Sequence, residues 1–223
     1  MASDQAIQLL RAGLLEGVGI LVAGASGSAA KKPAEPVADT VATACGLLGA
    51  RVAACGLLGG GVPDESELEQ DVERALAEVG AIDMLVLDVG ALARAVSLPE
   101  RGGADGVARN VLIGSLEESW KITRAVVNAA FLNPGRPGRV VYLAPAPDRV
   151  GGGGYIEATV AGLENLARTL SIEWAHHTVT TVAIAPASDT GAGELATLCG
   201  YLASSAGAYF SGCLLDLRGA RRG

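Results

Sequence analysis

Short apolar runs alternate along the chain with segments whose apolar residues recur every three or four positions, the pattern of buried strands separated by amphipathic helices. Val18 to Ala23 reads as the first buried strand. Val37, Val41, Cys45 and Leu48 then recur at helical spacing, with Pro36 suited to a helix's first turn and Gly49 to its end. Arg51 to Cys55 is the second strand, and Asp64 can cap a helix whose Leu68, Val72, Leu76 and Val79 share a face ending at Gly80. Further on, the pattern predicts a strand at Met84 to Val89, a long helix at Ser115 to Phe131 and a strand at Val140 to Leu143. It then predicts a helix at Ile156 to Ala175, a strand at Val179 to Ala185, a helix at Glu194 to Ser204 and a closing strand at Cys213 to Leu217.

Strands that are apolar throughout, each followed by a helix, imply an α/β fold in three layers: a doubly wound parallel sheet covered on both faces. No internal repeat or composition break divides the 223 residues, so residues 1–223 read as one domain.

Composition narrows the functional classes. With 17 basic against 24 acidic residues the net charge is −7, and Lys31-Lys32 and Arg221-Arg222 are too small a patch for a nucleic-acid partner. No apolar run reaches the length of about 20 residues that a membrane span needs, and the start MASDQAIQ lacks the basic region of a secretion signal. Cys45, Cys55, Cys199 and Cys213 are scattered through apolar segments without a CxxC pair, which fits reduced thiols and a cytoplasmic setting. His176 and His177 fall at an expected surface turn without further ligands at metal-binding spacing.

From Ile156 to Pro186 the chain reads IEATVAGLENLARTLSIEWAHHTVTTVAIAP. This resembles the active-site helix and following strand of short-chain dehydrogenases/reductases, and the resemblance extends from LLEGVGILVAGAS near the start to GELATLCGYLASSAGAYFSGCLLDLRG near the end. It implies a Rossmann-like sheet, here with six strands because only about ten residues separate Cys55 from the helix at Asp64, where the family inserts a helix and an edge strand. The substrate lid is reduced to ASDTGAG between Pro186 and Glu194.

The family's chemistry rests on Tyr-x-x-x-Lys at the start of this helix. A gapless match through Leu166, Arg168, Leu170, Glu173, Ala175 and Ala183 to Pro186 puts Ile156 at the tyrosine position and Val160 at the lysine position. The tyrosine is a general acid/base whose pKa of about 10 a neighbouring ammonium must lower, and isoleucine and valine supply neither proton nor field. Tyr155 lies one residue away, turned by about 100° on a helix, and no lysine follows Lys121. The other two tetrad positions fall at Ser115, in an aligned LEESWKITRA helix, and at Pro145. All four therefore read as non-catalytic.

The resemblance also locates the loop that holds a nicotinamide dinucleotide, where glycines let the pyrophosphate approach a helix N-terminus. In AGASGSAA from Ala23 to Ala30, Gly24 survives, Ser28 and Ala30 replace later glycines, and KKPAEP delays the helix; Gly27 compensates only in part. Cys55-Gly56 replaces the ribose-reading residue, and Leu87-Asp88-Val89-Gly90 replaces Asn-Asn-Ala-Gly. Asp88 reads as a structural or capping carboxylate. The expectation is that this chain binds no cofactor and that NAD or NADP belongs to a partner.

That partner is expected to be an active short-chain dehydrogenase/reductase subunit in a heterodimer or two-plus-two heterotetramer, by resemblance to heteromeric systems, some of which act on acyl-thioesters. The candidate interface is Trp120, Arg124, Leu163, Arg168, Trp174, Tyr209, Phe210 and Leu215. Two alternatives remain open: a small-molecule sensor or carrier whose crevice borders Gly151 to Gly154, and a residual oxidoreductase using Tyr155 or Asp88.

Overall fold

In the computed structural model, residues 10–24, 37–55, 65–96, 104–147 and 155–219 are described. Their strands are β1 (Gly19–Ala23), β2 (Arg51–Cys55), β3 (Met84–Asp88), β4 (Gly138–Leu143), β5 (Val179–Ala185) and β6 (Cys213–Asp216). The helices are α1 (Val37–Leu47), α2 (Glu65–Val79), α3 (Val89–Val96), α4 (Ala104–Val126), α5 (Tyr155–Glu173) and α6 (Ala192–Ala203). The six strands form one parallel sheet in the order β2-β1-β3-β4-β5-β6.

The central strands β1 and β3 are buried along their whole length because their alternating side chains feed two separate cores. Leu21, Leu85, Leu87, Val140, Tyr142 and Ala183 point to the face covered by α2, α4 and α5. Ile20, Val22, Met84, Val86, Val141, Val182 and Ile184 point to the face covered by α1 and α6, where Val41, Cys45, Leu195 and Cys199 meet them. Inside the first core, Tyr142 and Thr123 exchange a 3.0 Å hydrogen bond, which satisfies a phenol that is otherwise out of reach of water.

Two elements differ from the sequence expectation. The third strand ends at Asp88, and Val89 begins α3, a helix too short to announce itself by periodicity between two loops. The long helix starts at Ala104, eleven residues before Ser115, because GVARNVLIG mixes polar and apolar positions and hides its own start. Its far end passes into a π-helical turn at Val127–Leu132, in which Asn133 N–H donates to Asn128 O at 3.0 Å. The wider turn delivers the Phe131 ring beneath β4, so close to Gly138 that a Cβ there would lie 2.3 Å from ring carbons.

The cap expected at Asp64 and the turn residue Pro36 lie outside the described residues. Among the described residues no helix is long and apolar enough to cross a membrane, and no group of three or more metal-ligating side chains occurs.

Gly138→Ala should lower stability by about 1–3 kcal/mol through overpacking against Phe131. Gly46→Ala, at a helical position with open space around it, should raise stability by up to about 1 kcal/mol; chemical denaturation of both variants checks the opposite signs. A second expectation concerns pH. Burial pushes the Cys45 thiol from 9.0 to about 12. The folded protein therefore keeps the proton that the unfolded chain releases, and this contribution is complete below pH 9 and is lost as pH rises towards 12. Cys45→Ala should flatten that alkaline fall in stability, read by denaturation midpoints across the range.

Candidate functional site

After β1 the chain goes outward to β2, then returns across β1 to β3, so the sheet reverses direction between β1 and β3. In open α/β sheets, ligands bind beyond the carboxyl ends of the strands at such a switch point. Gly24 leaves β1 there with φ +103°, a conformation that favours glycine, and a Cβ on it would fall 2.9 Å from the Cβ of Asp88. The backbones of β1 and β3 are thus locked together at the mouth of the crevice. Gly27, Ser28, Ala30 and Gly151 to Gly154 lie outside the described residues.

Asp88 ends β3 and caps the helix that follows: its Oδ1 accepts from the Ala91 N–H at 2.9 Å, and the Arg94 guanidinium stands 3.9 Å from Oδ2. This is the capping role that the sequence suggests. It satisfies an N-terminal amide that the helix itself cannot pair.

Around Asp88, the crevice floor holds a cavity of about 20 Å³ lined by Val37, Gly90, Arg94, Leu143, Ala144, Pro145, Ala146, Pro186 and Leu195. That is room for about one water molecule, where ligand pockets usually offer about 300–1,000 Å³. Its walls combine the charged Asp88 and Arg94 with small and apolar residues. Pro145 carries no donor at the position where the resembled family orients a substrate carbonyl.

The remaining tetrad positions are equally closed to solvent. Ser115 is fully buried on α4, where its hydroxyl donates to Leu112 O at 3.1 Å, so its hydrogen-bonding capacity is spent on its own helix. Ile156 and Val160 lie on the inward face of α5 with 4% and 3% of their surface exposed. Tyr155 opens that helix and is partly exposed. Burial pushes its phenol upward, opposite to the shift that an activating ammonium produces.

Where the family places a lid, the chain makes a tight turn between β5 and α6. The Ala187 N–H donates to Thr190 Oγ1 at 2.9 Å, and the Gly191 N–H donates to Glu194 Oε2 at 2.7 Å, anchoring the start of α6.

The candidate interface residues divide into surface and core. Trp120 on α4 is 37% exposed and stacks on Trp174 beyond α5, with ring centroids 6.3 Å apart and planes 13° apart. Arg168 is exposed beside Glu164, and Arg124 pairs with Glu65 of α2. Tyr209, 91% exposed, and half-buried Phe210 and Leu215 lie at the β6 edge, Phe210 making an edge contact with Tyr201. Leu163 is different: it is fully buried in the core under the sheet, since its helical position points inward alongside Val160 and Ala167, and it offers no surface to another chain. Trp174 likewise sits largely in that core. The α4 and α5 backbones come close at Gly162, where a Cβ would lie 2.7 Å from Leu116 Cδ1.

Sequence reasoning passed over Glu118, a buried carboxylate on α4. Lys121 Nζ donates to its Oε1 at 2.7 Å, and this hydrogen bond raises the lysine's pKa. In the family helix that LEESWKITRA resembles, a glycine stands at this position, and that departure was the available signal.

Neither a protein-family model nor a curated protein matches this chain. Solved structures do. Citronellol catabolism dehydrogenase (AtuB) of Pseudomonas aeruginosa PAO1 superposes with a TM-score of 0.71 at 25% identity, covering 95% of this chain and 98% of that one. A short chain dehydrogenase from Mycobacterium smegmatis gives 0.69 at 21% identity, with 95% of each chain covered. Hydroxysteroid dehydrogenase from Escherichia coli gives 0.68 at 15%, covering 94% and 99%. The architecture is therefore a Rossmann-like α/β fold of the kind these dehydrogenases share.

If Asp88 serves as a cap, Asp88→Ala should cost about 0.5–2 kcal/mol, while Asp88→Asn, which keeps an acceptor at Oδ1, should retain most of the stability. Thermal unfolding of the two variants measures the difference.

Proposed function

We propose that this chain is a short-chain dehydrogenase/reductase-type subunit without catalytic activity of its own, which pairs with an active sibling that holds NAD or NADP and the substrate. The observation that carries this reading is the pair of buried aliphatic side chains, Ile156 and Val160, where a phenol and an ammonium would have to stand. Hydride transfer at a carbonyl needs a proton delivered to the forming alkoxide, and these two side chains have none to give. The cofactor fit supports the same conclusion. The cavity beside Asp88 measures about 20 Å³, and Pro145, which lines it, offers no side-chain donor to orient a substrate carbonyl. No step of a redox reaction is assigned to this chain.

Its role on this reading is to complete and stabilise the sibling. The surface that suits this is the outer side of α4 and α5, where Trp120 offers a large, partly exposed ring held in place by stacking on Trp174. Such rigid aromatics are favoured as interface anchors. An acyl-thioester is the substrate class suggested for the sibling, by resemblance to other heteromeric systems alone.

Co-expression with an intact dehydrogenase of the same fold encoded beside this chain, followed by light scattering on the purified material, tests the pairing. A stable heteromer is expected, and Trp120→Ala should weaken it by at least about tenfold. A self-contained homo-oligomer that ignores every such sibling contradicts the reading.

A further inference from the structure

The first turn of α5 carries Tyr155, Ile156 and Glu157. Ile156 holds it from the inner side, where it is buried, and Glu157 stands exposed on the outer side. Every α-helix begins with amides that its own carbonyls cannot pair, and a side-chain oxygen just before the helix usually takes one of them. Here the four residues before Tyr155 in the sequence, Gly151 to Gly154, have no side-chain oxygen. A tether reaches the turn from near the other end of the chain.

β6 pairs with β5 as far as Asp216, and the Leu217 N–H still donates to Ala185 O at 2.9 Å, so Arg218 leaves from a fixed base. Its guanidinium is aimed by Asp216: Nε donates to Oδ1 at 2.8 Å and Nη2 to Oδ2 at 2.7 Å, while the Arg218 backbone N–H donates to Oδ1 at 3.0 Å. This two-point fork fixes the planar group in one orientation. The remaining nitrogen, Nη1, donates to Glu157 Oε2. Among the described residues the Asp216 carboxylate bonds nothing but Arg218. Hydrogen bonding to Arg218 holds the Asp216 carboxyl down at about 2, so the fork stays charged from mildly acidic pH upwards.

We propose that Asp216, Arg218 and Glu157 form an ionic latch that pins the first turn of α5 to the last strand of the sheet and opens as ionic strength rises. It differs from an ordinary surface ion pair in that the arginine is oriented before it meets Glu157, so little side-chain freedom is lost when the contact closes. It also joins elements remote in sequence, so its opening lets the turn fray while the rest of α5 stays packed on the sheet. Salt is the lever because Glu157 is exposed and its attraction to Arg218 is screened, whereas the apolar contacts of Ile156 are not. The latch rests on no reading of the crevice or of a partner subunit.

Residue-resolved amide hydrogen exchange on the full chain tests it. In an α-helix the amides of Thr159, Val160 and Ala161 pair back to Tyr155, Ile156 and Glu157, so their exchange reports opening of the first turn. Arg218→Gln and Glu157→Gln should each speed that exchange about two- to fivefold, the range a surface ion pair spans, with Leu166 to Leu170 unchanged. Asp216→Asn should do the same, although its carboxylate makes no bond to α5. Combining Arg218→Gln with Glu157→Gln should give exchange no faster than the faster single variant. Sodium chloride at about 1 M, where charges are screened over about 3 Å, should speed the turn in the unaltered chain and leave Arg218→Gln as it was. Unchanged exchange in Arg218→Gln or Asp216→Asn, additive effects in the double variant, or a turn indifferent to salt would each overturn the proposal. Protection lost evenly along α5 would overturn it too, since that reports a weaker fold and not an open latch.

Discussion

A parallel sheet has no face it can leave to water, and this constraint governs the molecule. Every central strand must be apolar on both sides, so two helical layers are required, and the connections between them must cross at the strand ends. One consequence is a crevice at the carboxyl ends, placed by topology whatever side chains happen to line it. What a chain of this fold does is therefore decided by a handful of residues at the strand ends and on the first turns of α1, α3 and α5, not by the sheet.

In this chain the residues at several of those places are packed or capping. Asp88 spends a carboxylate oxygen on capping α3, Ser115 donates back to its own helix, and Ile156 and Val160 are both buried, Val160 within the core. The turn from β5 to α6 is closed by Thr190 and Glu194 instead of opening into a cover. On the proposed reading, each of these positions serves packing or capping in place of chemistry. The regions that remain distinctive lie outside: the stacked Trp120 and Trp174 on the outer side of α4 and α5, and the ion pairs of Arg218 with Asp216 and Glu157. The proposed reading follows this redistribution, from chemistry at the centre towards contacts at the surface.

Much of this was legible in the sequence because a doubly buried strand is written as an uninterrupted apolar run. Arg51–Cys55 and Val179–Ala185 match their expected bounds, and the six-stranded count followed from the short spacing after Cys55. The α3 helix was invisible because eight residues rich in alanine and valine continue the hydrophobicity of β3 without a change of period. Leu163 was misread as surface since a leucine on an amphipathic helix looks alike whether its stripe faces a sheet or another chain. Glu118 escaped notice for the reverse reason: a charged residue in a helix reads as solvent-exposed, and only its position beneath neighbouring elements, with Lys121 across one oxygen, reveals that it is buried. The Phe131 to Gly138 contact depends on a π turn, which no periodicity announces.

The central claim is that the crevice of this chain neither holds a dinucleotide nor relays a proton. Titrating the purified chain with NADH and NADPH, and following the nicotinamide fluorescence together with the heat of binding, examines it most directly. The account predicts no saturable binding at concentrations that fill a working dehydrogenase; stoichiometric binding of either cofactor to this chain alone would contradict it.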